Sequence, residues 1–158
     1  MTPANPVEAL ALARAMREWL WLYPAVEIVH ISGFVILVGS VAMFDLRVLG
    51  LSRAIPVRQL ARHLLPWSVA ALFLIVPSGL AMFAAHASDF LGNRAFQLKM
   101  ALLLTAGLNA VAFHTGPYQT VAAWNTDVAA PWTAKASVAL SLALWFSIIS
   151  CGRLLAYL

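Results

Sequence analysis

Charged residues and cysteine are scarce in this chain. Only 10% of its 158 residues are charged, 63% are hydrophobic, and the mean hydropathy is +0.86. A soluble domain carries about 25% charged residues, so this composition excludes a cytosolic enzyme, a nucleic-acid-binding protein and a disordered chain. The single cysteine, Cys151, excludes an internal disulfide and a cysteine-based zinc or iron–sulfur site. The net charge of +4 reflects a shortage of acids rather than a basic cluster suited to phosphate.

Long apolar runs are abundant, and they set the fold. Crossing the hydrocarbon core of a bilayer requires a helix of roughly 20 mostly apolar residues. The sequence predicts an all-α, integral membrane up-down four-helix bundle forming one domain over residues 1–158. The predicted spans are about 24–48, 60–86, 96–115 and 133–156. A short interfacial helix at about 6–21 precedes them, with Trp19, Trp21 and Tyr23 as anchors at the headgroups.

Arginines cluster in the first loop, and they predict the orientation. Four arginines lie close together there: Arg47, Arg53, Arg58 and Arg62. Lys135 lies on the same side, which gives five Lys and Arg residues, and the opposite side also has five: Arg14, Arg17, Arg94, Lys99 and Arg153. The prediction therefore depends on how closely the four loop arginines are clustered. Because positive loops stay in the cytoplasm, we expect a multi-pass protein of the bacterial cytoplasmic membrane with both termini in the periplasm.

Ionisable side chains inside the spans form two layers. Such residues are costly in a membrane and often functional. The layer nearer the chain ends holds Glu27, His30, His86, Lys99 and Arg153. The layer nearer the first loop holds Asp45, His63, His114 and Lys135. Asn109 is predicted to form a hydrogen bond between helices.

The two histidines in each layer predict haem b as a cofactor. A low-spin haem needs two imidazoles at matching depth on facing helices, and cations for its propionates. The predicted ligand pairs are His30 with His86 and His63 with His114; the predicted propionate partners are Lys99, Arg153 and Lys135. Glycines near the histidines, such as Gly33 and Gly79, would leave room for the flat macrocycle. Two haems would carry electrons across the membrane between a quinone and another redox protein.

Two other functions fit the same residues. A copper-handling protein would use the Met82 thioether with the imidazoles of His86 and His30, since soft thioethers suit Cu(I). A cofactor-free scaffold or accessory subunit of a larger membrane complex would instead use its polar residues to fix helix packing. Gly33 and its small neighbours on the first span would also permit a homo-oligomer. No nucleophile with an ordered base identifies an enzymatic reaction.

Several motifs are distributed along the chain. They are Trp21-x-Tyr23-Pro24-x-x-Glu27-x-x-His30-x-x-Gly33, Asp45-Leu46-Arg47-x-x-Gly50, and the later positions Lys99, Asn109 and Gly152-Arg153. In these motifs the chain resembles a family of small four-helix bacterial membrane proteins with no established function. More loosely, its layout is similar to the cytochrome b561 and copper-resistance D membrane bundles. In b561 cytochromes, histidines on four helices bind two haems, whereas the fourth predicted span here has no histidine.

Overall fold

The computed structural model describes residues 6–154, and every regular element in that range is helical. The α-helices are α1 (Ala11–Glu18), α2 (Leu22–Leu49), α3 (Val57–Ala85), α4 (Ala87–Gly92), α5 (Arg94–Thr115) and α6 (Trp132–Leu154). Short 3₁₀ helices cover Pro6–Ala9 and Pro117–Trp124. Four of the helices, α2, α3, α5 and α6, are long and apolar enough to cross a membrane. This confirms the all-α membrane bundle and a multi-pass membrane protein.

Each span begins one to three residues earlier than the sequence predicts. Local capping explains part of this difference. The Asn93 side chain accepts hydrogen bonds from the backbone N–H groups of Ala95 and Phe96, at 2.8 and 3.2 Å, which starts α5 at Arg94. At the other end of a span, Gly50 terminates α2 with a φ of +123°, which side chains disfavour. The predicted end at residue 156 lies outside the described residues.

The spans pack in the order α3, α2, α6, α5. Helix α2 lies between α3 and α6, and α6 packs in turn against α5. A buried apolar core at the first-loop end joins all four spans to the 3₁₀ helix Pro117–Trp124. It includes Phe44, Val48, Ala61, Phe113, Trp124 and Val138. A smaller core of Ala106, Leu144 and Ile148 joins α5 and α6 nearer the chain ends.

The N-terminal segment docks against the end of α3. The Arg17 guanidinium donates to the carbonyl of Ala85, the last residue of α3, at 2.9 Å, and to the carbonyl of Glu8 at 2.7 Å. The Glu8 carboxylate accepts a hydrogen bond from the Ser88 N–H in α4 at 2.7 Å. This backbone donor holds the pKa of Glu8 below its ordinary value of about 4.5. The predicted interfacial helix is thus a 3₁₀ turn followed by the eight-residue α1.

Candidate functional site

His30 lies at the contact between α2 and α3. Its Nδ1 atom is 3.1 Å from the Ile75 carbonyl oxygen and 3.0 Å from the Ser78 hydroxyl. Because a carbonyl only accepts hydrogen bonds, we assign the ring proton to Nδ1, which donates to Ile75. The Ser78 hydroxyl donates to the Leu74 carbonyl in its own helix. This assignment leaves Nε2 of His30 unprotonated, and among residues 6–154 it accepts no hydrogen bond.

Glycines bring α2 and α3 close together around His30. A Cβ atom on Gly79 would lie 3.1 Å from Cε1 of His30. A Cβ atom on Gly33 would lie 2.9 Å from Cγ1 of Ile75 and 3.0 Å from Cβ of Leu74. Side chains of the protein therefore fill the space beside both glycines. This is the space that was predicted to hold the haem macrocycle.

Lys99 lies near the start of α5, beside the end of α6. Its Nζ atom lies 3.8 Å from the position that a Cβ atom on Gly152 would occupy. Lys99 and His30 are half-buried, whereas Glu27 and Arg153 are exposed. The layer nearer the chain ends thus has a half-buried inner pair, His30 and Lys99, and an exposed outer pair, Glu27 and Arg153.

His86 lies nearer the chain ends than His30. It follows the last residue of α3, and its ring packs edge-on against the Tyr23 ring with centroids 5.7 Å apart. Its Nδ1 atom is 3.7 Å from the Asp89 carboxylate. Tyr23 precedes His30 by seven residues of helix, about 10 Å along the axis. Two axial ligands of one iron need to share a depth, and this arrangement places the two rings at different depths.

The second predicted pair, His63 and His114, is also not joined by a hydrogen bond or ring contact in the described residues. His114 lies in the last turn of α5, where its Nδ1 atom donates to the Ala110 carbonyl at 2.8 Å. Its ring is 5.3 Å from that of Tyr118. His63 is exposed near the start of α3. A membrane-facing groove of about 590 Å³ runs between Arg62 and Tyr118, and neither histidine lines it.

The histidines therefore do not form the predicted haem pairs in this arrangement. Among residues 6–154, no three His, Cys, Asp or Glu side chains converge in the manner of a metal site. Met82, the predicted copper ligand, is half-buried in α3. Haem and copper ligation both stay predictions. His30 and His114 each show one feature typical of a ligand, because metal-bound imidazoles usually donate the other ring N–H to a carbonyl or carboxylate.

Asp45 and Asn109 each connect α6 to a neighbouring span. Asn109 in α5 donates to the Ser137 carbonyl at 3.0 Å and accepts from the Ser137 hydroxyl at 2.9 Å. One turn further along α6, the Ser141 side chain interacts with the Asp45 carboxyl of α2. Asp45 is 4% exposed, and its Oδ2 atom has no hydrogen-bond partner. Lys135, in the first turn of α6, is half-buried.

Arg47 is a buried residue whose role the sequence analysis missed. Its side chain is 4% exposed and donates to the carbonyls of Ile55, Arg53 and Asn125, at 2.6, 2.8 and 3.2 Å. The Asn125 carbonyl also accepts from the Val57 N–H at 2.9 Å, at the start of α3. Arg47 therefore ties the first loop to the loop before α6. An arginine in the last turn of a helix was the available signal, since such residues often bind free carbonyls.

Comparison with known proteins gives one match. No curated protein and no solved structure matches the chain. A family model matches residues 22–158, which begin at the first residue of α2 and include all four spans. It is a family without an assigned function, as the motifs indicated, and it is not a cytochrome b561 or copper-resistance D model. The chain is thus a member of the family of unknown function DUF6644.

Proposed function

We propose that this protein is a scaffold or accessory subunit of a larger complex in the bacterial cytoplasmic membrane. The observation that carries the proposal is the use of its interhelical polar contacts. His30 joins α2 to α3, Asn109 joins α5 to α6, and Asp45 joins α2 to α6. These side chains bind neighbouring helices instead of converging on one site. Polar contacts of this kind fix which helices pack together in a membrane.

The outer surface supports the same proposal. In the most apolar window of each span, the buried share is 11% for α2 and α5, 33% for α3 and 28% for α6. Most of the apolar side-chain surface therefore faces outward, where lipid or the helices of other membrane proteins can cover it. A subunit with this surface can bind partners without a binding cavity of its own.

The test is purification of the chain from its native membrane in mild detergent, with haem supplied during growth. We expect a colourless protein that migrates with partner subunits in native electrophoresis. A reduced-minus-oxidised spectrum and a pyridine haemochrome assay measure haem per chain. A b-type α-band at one or two haems per chain would overturn the scaffold proposal, and so would migration of the chain alone.

His30→Ala tests the structural role of the histidine separately. Loss of its hydrogen bond to Ile75 is expected to lower the unfolding free energy by about 1–3 kcal/mol. His63→Ala is the matched control, because His63 is exposed and its loss is expected to cost no more than about 0.5 kcal/mol. A His30→Ala protein as stable as the control would contradict the proposed role.

A second candidate function, electron transfer, is favoured by the free Nε2 atom of His30. In that function His30 would hold a haem b iron and the Lys99 cation would lie near a propionate. The haem would supply one-electron chemistry, with a quinone or another redox protein as partner. Loss of a b-type spectral component in His30→Ala, with the folded protein retained, would favour this function over the scaffold.

A further inference from the structure

Asp45 is a buried acid that the proposed function does not use for any chemistry. It lies on α2, four residues before the last residue of that helix, and is 4% exposed. Its Oδ2 atom is buried without a hydrogen-bond partner. The Ser141 side chain of α6 lies within reach of the carboxyl. The group is therefore enclosed by protein, and one of its two oxygens has no hydrogen-bond partner among the described residues.

No charged side chain of the described residues forms an ion pair or hydrogen bond with Asp45. Arg47 follows it in the same helix, but its guanidinium is bound to three loop carbonyls. The other charged or titratable groups at this end of the bundle belong to the two loops, to α3 and α5, to the 3₁₀ helix Pro117–Trp124 and to α6. Five of them are exposed: Arg53, Arg58, Arg62, His63 and Asp127. His114 donates to the Ala110 carbonyl, and Tyr118 and Lys135 are half-buried.

An ionised carboxylate is unfavourable in such a place. Removing a charge from water without pairing it is strongly unfavourable, and a buried group generally neutralises instead. A neutral carboxylic acid leaves one polar atom unsatisfied, which is much less unfavourable. We propose that Asp45 is a proton-binding site in the membrane domain, with the neutral acid forming part of the contact between α2 and α6. This proposal does not depend on the scaffold function.

The position of Asp45 allows exchange of this proton with water. The 28 residues of α2 extend about 42 Å, longer than the hydrocarbon core of roughly 30 Å. Asp45 therefore lies near the membrane boundary on the side of the first loop. When the proton leaves, the carboxyl O–H bond breaks, water receives the proton, and the carboxylate stays behind unpaired beside Ser141. Proton binding is thus coupled to the packing of α6 against α2.

Infrared difference spectroscopy of the full chain in lipid vesicles tests the proposal. At neutral pH we expect a carbonyl-stretch band of a protonated carboxylic acid in the wild-type protein. The band should shift in deuterium oxide and disappear in Asp45→Asn. Asp127→Asn is the matched control, because Asp127 lies in an exposed loop and its removal should leave the band unchanged. Absence of a band that depends on Asp45 would overturn the proposal.

One further variant and one further measurement on Asp45→Asn keep the test informative if the spectra overlap. Ser141→Ala retains Asp45 but removes its hydrogen-bonding neighbour, so the band should shift in frequency without being lost. Asp45→Asn should keep the wild-type thermal midpoint, since an amide resembles a neutral acid in size and polarity. A large fall of the midpoint in Asp45→Asn would show that the carboxylate is required in its charged form, and would also overturn the proposal.

Discussion

The contact between α2 and α3 depends on the absence of a side chain at Gly33. A Cβ atom there would lie 2.9 Å from Cγ1 of Ile75, 3.0 Å from Cβ of Leu74 and 3.3 Å from the Ala71 carbonyl oxygen. The first of these atoms can move by side-chain rotation. The other two are fixed to the backbone of α3. Gly33→Ala therefore requires the two helices to move apart.

Gly39→Ala is the control that separates the cost of crowding at Gly33 from the general effect of replacing glycine by alanine in a helix. Gly39 is in the same helix, and a Cβ atom on it would meet nothing within 4 Å. Replacing glycine by alanine in a helix gains up to about 1 kcal/mol, and this gain applies to both variants. Forcing an extra carbon into a packed contact costs about 1–3 kcal/mol. We therefore expect Gly33→Ala to be less stable than Gly39→Ala by about 1–3 kcal/mol.

The assay is reversible unfolding in mixed detergent micelles, followed by circular dichroism, with the wild type and both variants measured together. The expected order of stability is Gly39→Ala, then wild type, then Gly33→Ala. Equal unfolding free energies for the two variants would refute the reasoning, because they would show that α2 and α3 do not approach closely at Gly33.

Three further predictions concern other contacts. Asn109→Ala and Ser137→Ala in a double-mutant cycle should show a coupling of about 0.6–1.7 kcal/mol in unfolding free energy, and additive effects would contradict their reciprocal bonding. Arg47→Ala should lower the unfolding free energy by about 3 kcal/mol or more, because each hydrogen bond to a charged group contributes about 1.5–3 kcal/mol. Arg62→Ala is the control and should change the unfolding free energy little. Arg47→Lys should recover only part of the loss. The pKa of Glu8 is lowered in the folded protein, so its contact with α4 contributes stability above about pH 4.5 and loses it as the pH falls further. The protection factor for hydrogen exchange at the start of α4, which corrects for the pH dependence of the intrinsic exchange rate, should fall on acidification in the wild type but not in Glu8→Gln, and a flat wild-type profile would count against the contact.

The helical spans could be predicted from the sequence because their physical cause is local. An apolar run of about 20 residues in a membrane must satisfy its backbone hydrogen bonds within itself, and a helix does this without reference to other segments. The end of α5 at Thr115 also has a local cause, because Gly116 and Pro117 follow directly and proline has no backbone N–H to continue a helix. Within the described residues the predicted and observed boundaries of the spans differ by at most three residues, and at the start of α5 the Asn93 cap sets the boundary.

Helical phase also indicated which side chains share a face, but not which helix that face meets. The two histidines nearer the chain ends predict a pair of His30 with His86, whereas in the structure His30 contacts Ile75 and Ser78, about two helical turns from the depth of His86. The spacing of histidines does not show which helix an imidazole contacts, because the ring can reach any helix on its side. The packing order of the helices, α3, α2, α6, α5, determines that contact.

The sequence alone thus determined the membrane environment, the all-α class and the residues at which polarity interrupts the spans. Only the tertiary structure decided what those residues contact. Arg47 meets the carbonyl of Asn125, 78 residues away, and Asp45 meets Ser141 on the last span. Composition and periodicity are properties of one segment, whereas such contacts form when helices distant in sequence pack side by side.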